Sequence, residues 1–167
     1  MKRIELPLNT WGYFDFISDD ERLVLIDWAN DNFSKTKNNG NGRYFIPKVN
    51  EWPNLPKEYM LVKQRIIDTD RLNYIIDPTF GDFLSFNLEG GNIHKHTDPN
   101  STGRTHTRYN LLLSVPDEGG QPIYGGEYKI DYEEKFIWRC EAGKHTHESL
   151  PVVGTKPRIN ISFGFQI

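Results

Sequence analysis

Apolar and polar residues are patterned differently in the two parts of this chain. Ahead of residue 79 the pattern is helical in two places. Ser18-Asp-Asp-Glu21 has capping-box spacing: the serine hydroxyl accepts from the amide three residues on, and the glutamate reaches back. Leu23, Val24, Ile26, Trp28, Ala29 and Phe33 follow at roughly helical intervals. Asn38-Asn-Gly-Asn-Gly42 reads as a loop. A second helix is predicted to start after Pro56, a residue suited to a first helical position, and to run to about Ile67, with Tyr59, Val62 and Ile66 on one face.

After Pro78 the texture becomes strand and turn. Strands are predicted over 83–88, 92–97, 107–115, 127–132, 135–139 and 158–166. Gly90-Gly91, Gly119-Gly120, Gly125-Gly126, Gly143, Gly154 and Pro157 punctuate them. Short strands with such turns predict a mainly β (α+β) sandwich or barrel, with the N-terminal helices packed outside one sheet. No linker divides the chain, so 1–167 read as one domain: supporting helices over 1–78 and a β core over 79–167.

The 167 residues suffice for one domain with a real core. Only 37% are hydrophobic, but 10 Phe, 8 Tyr and 4 Trp supply bulky core pieces, which excludes a disordered chain. A net charge of -3 offers no basic excess for nucleic acid, which is disfavoured as a partner. Cys140, the single cysteine, excludes an internal disulfide and Cys-rich metal sites, and reads as a small core residue. No segment is apolar enough to span a membrane, and no apolar run follows the basic N-terminus; a cytoplasmic protein is expected.

The five histidines all fall between His94 and His147, in the β-rich part. On an extended segment residues two apart share a face, so His96 and Asp98 converge while Thr97 turns away. His147 from a neighbouring strand would complete two imidazoles and a carboxylate on one face of a metal. That set leaves open positions and suits non-haem Fe(II). The bland alternative is a solvated turn at Asp98-Pro99-Asn100-Ser101. His94 shares the face of His96 if the strand runs straight, and His145 competes with His147 by the same periodicity. His106 reads as a solvated loop or substrate-edge residue.

Four segments resemble the Fe(II)/2-oxoglutarate-dependent dioxygenases, in their prolyl-4-hydroxylase-like branch. Gly90-Gly91-Asn-Ile-His-Lys-His96-Thr-Asp98 resembles the family's glycine turn, strand and H-x-D. Gly125-Gly126-Glu127-Tyr128 resembles the G-G-E segment between the ligands. His147-Glu-Ser-Leu-Pro151-Val152 resembles the distal histidine with its Pro-Val, and Arg158-Ile-Asn160 stands where a basic residue opens the last core strand. The match covers roughly 80–167.

The resemblance implies a double-stranded β-helix (jelly roll) with Fe(II) on His96, Asp98 and His147. It also implies 2-oxoglutarate as cosubstrate, O2, and hydroxylation of a C–H bond with release of succinate and CO2. The substrate would be a peptidyl, prolyl-like residue or a small molecule. A buried distal carboxylate needs a cation, and Arg158 offers a planar fork, with Asn160 on the same strand face. Lys156 is the rival, though its place before Pro157 suggests a turn. Arg108, Asn110, Leu112 and Ser114 share one face of the strand over 107–115. That face either lines the cavity, with Arg108 and Asn110 touching 2-oxoglutarate or substrate, or meets water. The alternatives are a cupin-type metalloenzyme using His94 without 2-oxoglutarate, a zinc hydrolase on the same ligands, and a non-catalytic jelly-roll binding module.

Overall fold

The computed structural model describes residues 1–167 as two α-helices, two short 3-10 turns and fifteen strands, numbered here along the chain. The larger sheet runs β1 (Lys2–Leu6), β2 (Thr10–Phe14), β12 (Ile137–Cys140), β8 (His106–Ser114), β15 (Arg158–Gln166), β6 (Phe83–Asn87), β4 (Arg43–Ile46), β3 (Lys37–Asn38), with β5 (Ile75–Ile76) also on β15. The smaller sheet runs β11 (Tyr128–Lys129), β10 (Pro122–Tyr124), β13 (His147–Ser149), β7 (Ile93–His96). A two-stranded pair joins β14 (Val152–Val153) to β9 (Glu118–Gly119). Every pairing between these strands is antiparallel, and the architecture is a jelly roll.

Strand alternation sorts side chains into two compartments. On β15, Ile159, Ile161, Phe163 and Phe165 join the main core, which Leu25 and Ala29 of α1 (Asp19–Asp31) and Tyr59, Val62 and Ile66 of α2 (Lys57–Asp70) close from outside. Arg158, Asn160 and Ser162 take the other face and look between the sheets. On β8, Tyr109, Leu111 and Leu113 face the helices, while Leu112 joins Tyr124, Phe136 and Trp138 in a smaller inner core. Each large apolar side chain so buried contributes about 1.5–3 kcal/mol.

The capping box forms as its spacing predicts: Glu21 N donates to Ser18 Oγ at 3.1 Å, and Ser18 N to Glu21 Oε2 at 2.8 Å. Pro56 precedes the second helix rather than opening it. Its ψ of 148° is extended, so Lys57 is the first helical residue. Residues 1–78 are not helices alone, because they also supply β1 to β5. The β1–β2 hairpin turns at Pro7–Asn9, where Leu8 and Asn9 hold φ near +60°. A leucine there hides the turn, which favours Gly, Asn or Asp. Of the predicted strand over 127–132 only Tyr128–Lys129 pairs, and the strand predicted over 135–139 shifts to Ile137–Cys140.

Helix α2 is bolted to the sheet by a buried carboxylate. Asp82 Oδ2 accepts from Tyr59 Oη and from Lys63 Nζ at 2.6 Å, while its Oδ1 accepts from Gly164 N at 3.0 Å. Removing the cation would leave Asp82 charged and fully buried. Lys63→Met is therefore expected to destabilise the protein by about 3 kcal/mol in urea unfolding, since breaking one half of a buried pair costs more than the pair gains.

Candidate metal centre

His96 and His147 lie directly opposite each other on β7 and β13. Pairing then slips: Ser149 stands opposite Ile93, so two residues of β7, His94 and Lys95, oppose Glu148 alone. This bulge shifts the phase of the strand, as bulges beside sites do. Ile93 and His96 both reach the cavity, and His94 does not. The expectation that His94 shares the face of His96 fails for this reason. His94 is exposed, with its Nε2 3.0 Å from Asn41 Nδ2.

Asp98 follows the end of β7, its amide donating to Ala142 O at 2.8 Å. His96 Nε2 stands 3.4 Å from Asp98 Oδ1, and His147 Nε2 stands 3.9 Å from Asp98 Oδ2. One ligand atom from each of the three residues lies within 4.8 Å of the others. His145 points elsewhere, packing edge-on against Tyr124 with its Nε2 4.0 Å from Glu141.

A buried network holds Asp98 in place. Arg108 Nε donates to Asp98 Oδ2 at 3.1 Å, and Nη2 donates to Asp77 Oδ2 at 2.9 Å. His106 is fully buried between the same two carboxylates, 3.7 Å from Asp98 and 3.5 Å from Asp77, which overturns its reading as a solvated loop residue. Burial opposes ionisation of Asp98, but His96, Arg108, His147 and His106 outweigh it and hold the carboxyl well below its ordinary range. Burial pushes His147 down to about 4, so its imidazole is neutral with a free lone pair at neutral pH. Asp98 raises His96 through their hydrogen bond.

The three residues open onto a cavity of about 350 Å³ between the sheets. Arg158 and Asn160 enter from the large sheet, both nearly fully buried. Arg158 Nε and Nη1 are buried without a partner. Asn110 also lines the wall. Lys156 does not: it is exposed and its Nζ pairs with Glu134 at 3.1 Å. Arg108 lines the wall too, with its guanidinium donating to Asp98, Asp77 and Gly81 O. Sequence reasoning missed Arg43, which lines the same cavity from β4 with a buried, unpartnered Nε. Its only sequence signal was a cation opening the apolar run Tyr44-Phe45-Ile46 just after the Asn/Gly loop.

No protein-family model matches the chain, and no curated protein matches it. Solved structures do. A prolyl-4-hydroxylase from Pseudomonas putida superposes with a TM-score of 0.68 at 15% identity, over 93% of this chain and 90% of that one. The viral collagen prolyl hydroxylase of Paramecium Bursaria Chlorella virus-1, a 2-oxoglutarate complex, gives 0.65 at 17% identity, covering 93% of each chain. HygX from Streptomyces hygroscopicus, with nickel and 2-oxoglutarate bound, gives 0.74 at 8% identity over 94% of this chain and 82% of that one. The chain thus has the jelly-roll fold of the 2-oxoglutarate-dependent oxygenases, prolyl-4-hydroxylases among them.

Two imidazoles and an ionised carboxylate on one side of a cavity fit a divalent metal with open positions. His96→Ala, Asp98→Ala and His147→Ala are each expected to abolish Fe(II) binding in anaerobic calorimetric titration, while His94→Ala and His145→Ala retain it. Arg108→Met leaves the donors in place but frees Asp98, and should weaken binding about 10- to 100-fold.

Proposed function

We propose that this protein is an Fe(II)- and 2-oxoglutarate-dependent dioxygenase that hydroxylates a C–H bond of a peptidyl, prolyl-like residue or of a small molecule. One observation carries the reading: a His/Asp/His cluster and a fully buried arginine with no anion of its own share one cavity. Burying an unpaired guanidinium costs several kcal/mol unless an anion meets it. A metal chelated by a 2-oxo acid whose far end is a carboxylate satisfies both requirements at once. The similarity in fold to a 2-oxoglutarate complex and to a nickel and 2-oxoglutarate complex supports the same pair of ligands.

His96, Asp98 and His147 would hold Fe(II), and Arg158 would take the distal carboxylate through its planar fork, beside Asn160. Bound Fe(II) would activate O2, which is the oxidant; 2-oxoglutarate would supply two electrons and leave as succinate and CO2, and a substrate C–H would supply the other two in becoming C–OH. The chain positions and shields that chemistry. Arg108 keeps Asp98 ionised and oriented. The buried His147 ring stays neutral. Phe45, Phe80, Phe83 and Trp138 line the cavity and limit water.

A cupin-type site would need His94, which the β7 bulge turns away from the cavity. The fold neighbours include prolyl hydroxylases, one of them in complex with a peptide fragment, and HygX is also described with hygromycin B bound, so both peptides and small molecules bind to proteins of this fold.

Succinate formation from 2-oxoglutarate, with Fe(II) and O2, tests the reading. The wild type is expected to produce succinate slowly even without substrate, and to stop when iron or O2 is withheld. Arg158→Gln should raise the KM for 2-oxoglutarate about 10- to 100-fold, the worth of a charge-assisted fork. Lys156→Gln should leave it unchanged. Iron-independent turnover, or an effect of Lys156→Gln equal to that of Arg158→Gln, would refute it.

A further inference from the structure

Arg158 is not the only cation in the cavity without a partner. Arg43, Asn87 and Arg158 stand directly opposite one another on β4, β6 and β15. Strand spacing puts the two arginine Cα atoms roughly 10 Å apart on the same face. The Arg43 guanidinium carbon sits 5.2 Å from the Phe45 ring and 5.9 Å from the Phe83 ring. Its Nε and both polar atoms of the Asn87 side chain are buried with no partner. Burial, and then the proximity of Arg158 and Arg108, lower its pKa to about 10, so it stays protonated at neutral pH.

No carboxylate of the chain makes an ion pair with Arg43. Arg108 is matched by Asp77. With Fe(II) and 2-oxoglutarate bound, two positive charges on the metal and one on Arg158 face one negative charge on Asp98 and two on the cosubstrate. Arg43 is left over. Glu148 also lines the cavity, but no ion pair joins it to Arg43. Arg43 also lies nearer the mouth than Arg158. It is only partly covered, its strand follows the loop that supplies exposed Asn39 to the cavity rim, and its charge is felt by His96 and Asp98.

We infer that Arg43 is a specificity-determining residue which binds a carboxylate or phosphate group of the substrate. The inference rests on the proposed function and narrows its substrate class to anions. The large-sheet wall of the cavity then takes two anionic groups, the cosubstrate's on Arg158 and the substrate's on Arg43.

The test is calorimetric titration of the protein loaded anaerobically with Fe(II) and 2-oxoglutarate. The probes are N-acetyl amino acids beside their amides, and sugar phosphates beside the parent sugars, which separate carboxylate from phosphate. At least one anion should bind about tenfold or more tightly than its neutral counterpart, as a charge-assisted hydrogen bond to one member of a pair implies. Arg43→Gln should erase that advantage, and Arg43→Lys should keep part of it. Arg43→Gln should change 2-oxoglutarate affinity less than about threefold, where Arg158→Gln changes it far more. Equal binding of every anion and its neutral counterpart, binding of none, or an anion preference that survives Arg43→Gln overturns the inference. So does an Arg43→Gln loss of 2-oxoglutarate affinity matching that of Arg158→Gln, which would assign Arg43 to the cosubstrate. Failure of the wild type to bind 2-oxoglutarate at all is a separate result, and it removes the dioxygenase reading first.

Discussion

The bridge from Arg108 to Asp98 and Asp77 is the interaction on which the site depends. A carboxylate taken out of water must be matched by charge and by hydrogen bonds or it takes up a proton. Asp98 is nearly buried, and it would be a poor metal ligand if protonated. Arg108 supplies the charge, and Asp77 keeps Arg108 from collapsing onto Asp98 alone. Asp77 is itself fixed by the amides of Thr79 and Phe80, and Gln166 ties it to the end of β15. The orientation of one candidate ligand is thus set by residues from a turn and two strands of the large sheet.

The opposite wall of the cavity follows a different rule. Asp98 is surrounded by Arg108 and three imidazoles, whereas Arg43 and Arg158 are left with buried, unanswered donors. A folded protein tolerates such groups where a bound molecule completes them. The core explains why the sheet can carry this cost. One face of β15 is solid with Ile159, Ile161, Phe163 and Phe165 against the helices, and the Asp82–Lys63–Tyr59 cluster pins α2 to that sheet. The apolar outer face secures the strands, and the inner face is free to be polar.

Much of this was legible in the residues. The capping box, the amphipathic strands over 107–115 and 158–166, and the convergence of His96 and Asp98 follow from local spacing, while the resemblance to a known family singled out His147 over His145. The rest depended on contacts that spacing does not encode. A bulge in β7 decides between His94 and His96, and nothing in Ile-His-Lys-His announces it. The partner of Arg108, Asp77, lies 31 residues earlier in a turn. Arg43 sits on a four-residue strand after an Asn/Gly loop, and only the pairing of β4 with β6 turns it toward Arg158. Leu8 at positive φ hides the first hairpin altogether.

The central claim is that one cavity holds Fe(II) and 2-oxoglutarate together. The most direct measurement is the visible absorption of the iron-loaded protein as 2-oxoglutarate is added without oxygen. A saturable charge-transfer band, absent when succinate replaces 2-oxoglutarate, is the predicted result, because only the 2-oxo acid chelates the metal through its keto group. Iron bound normally with no band at any 2-oxoglutarate concentration would contradict it.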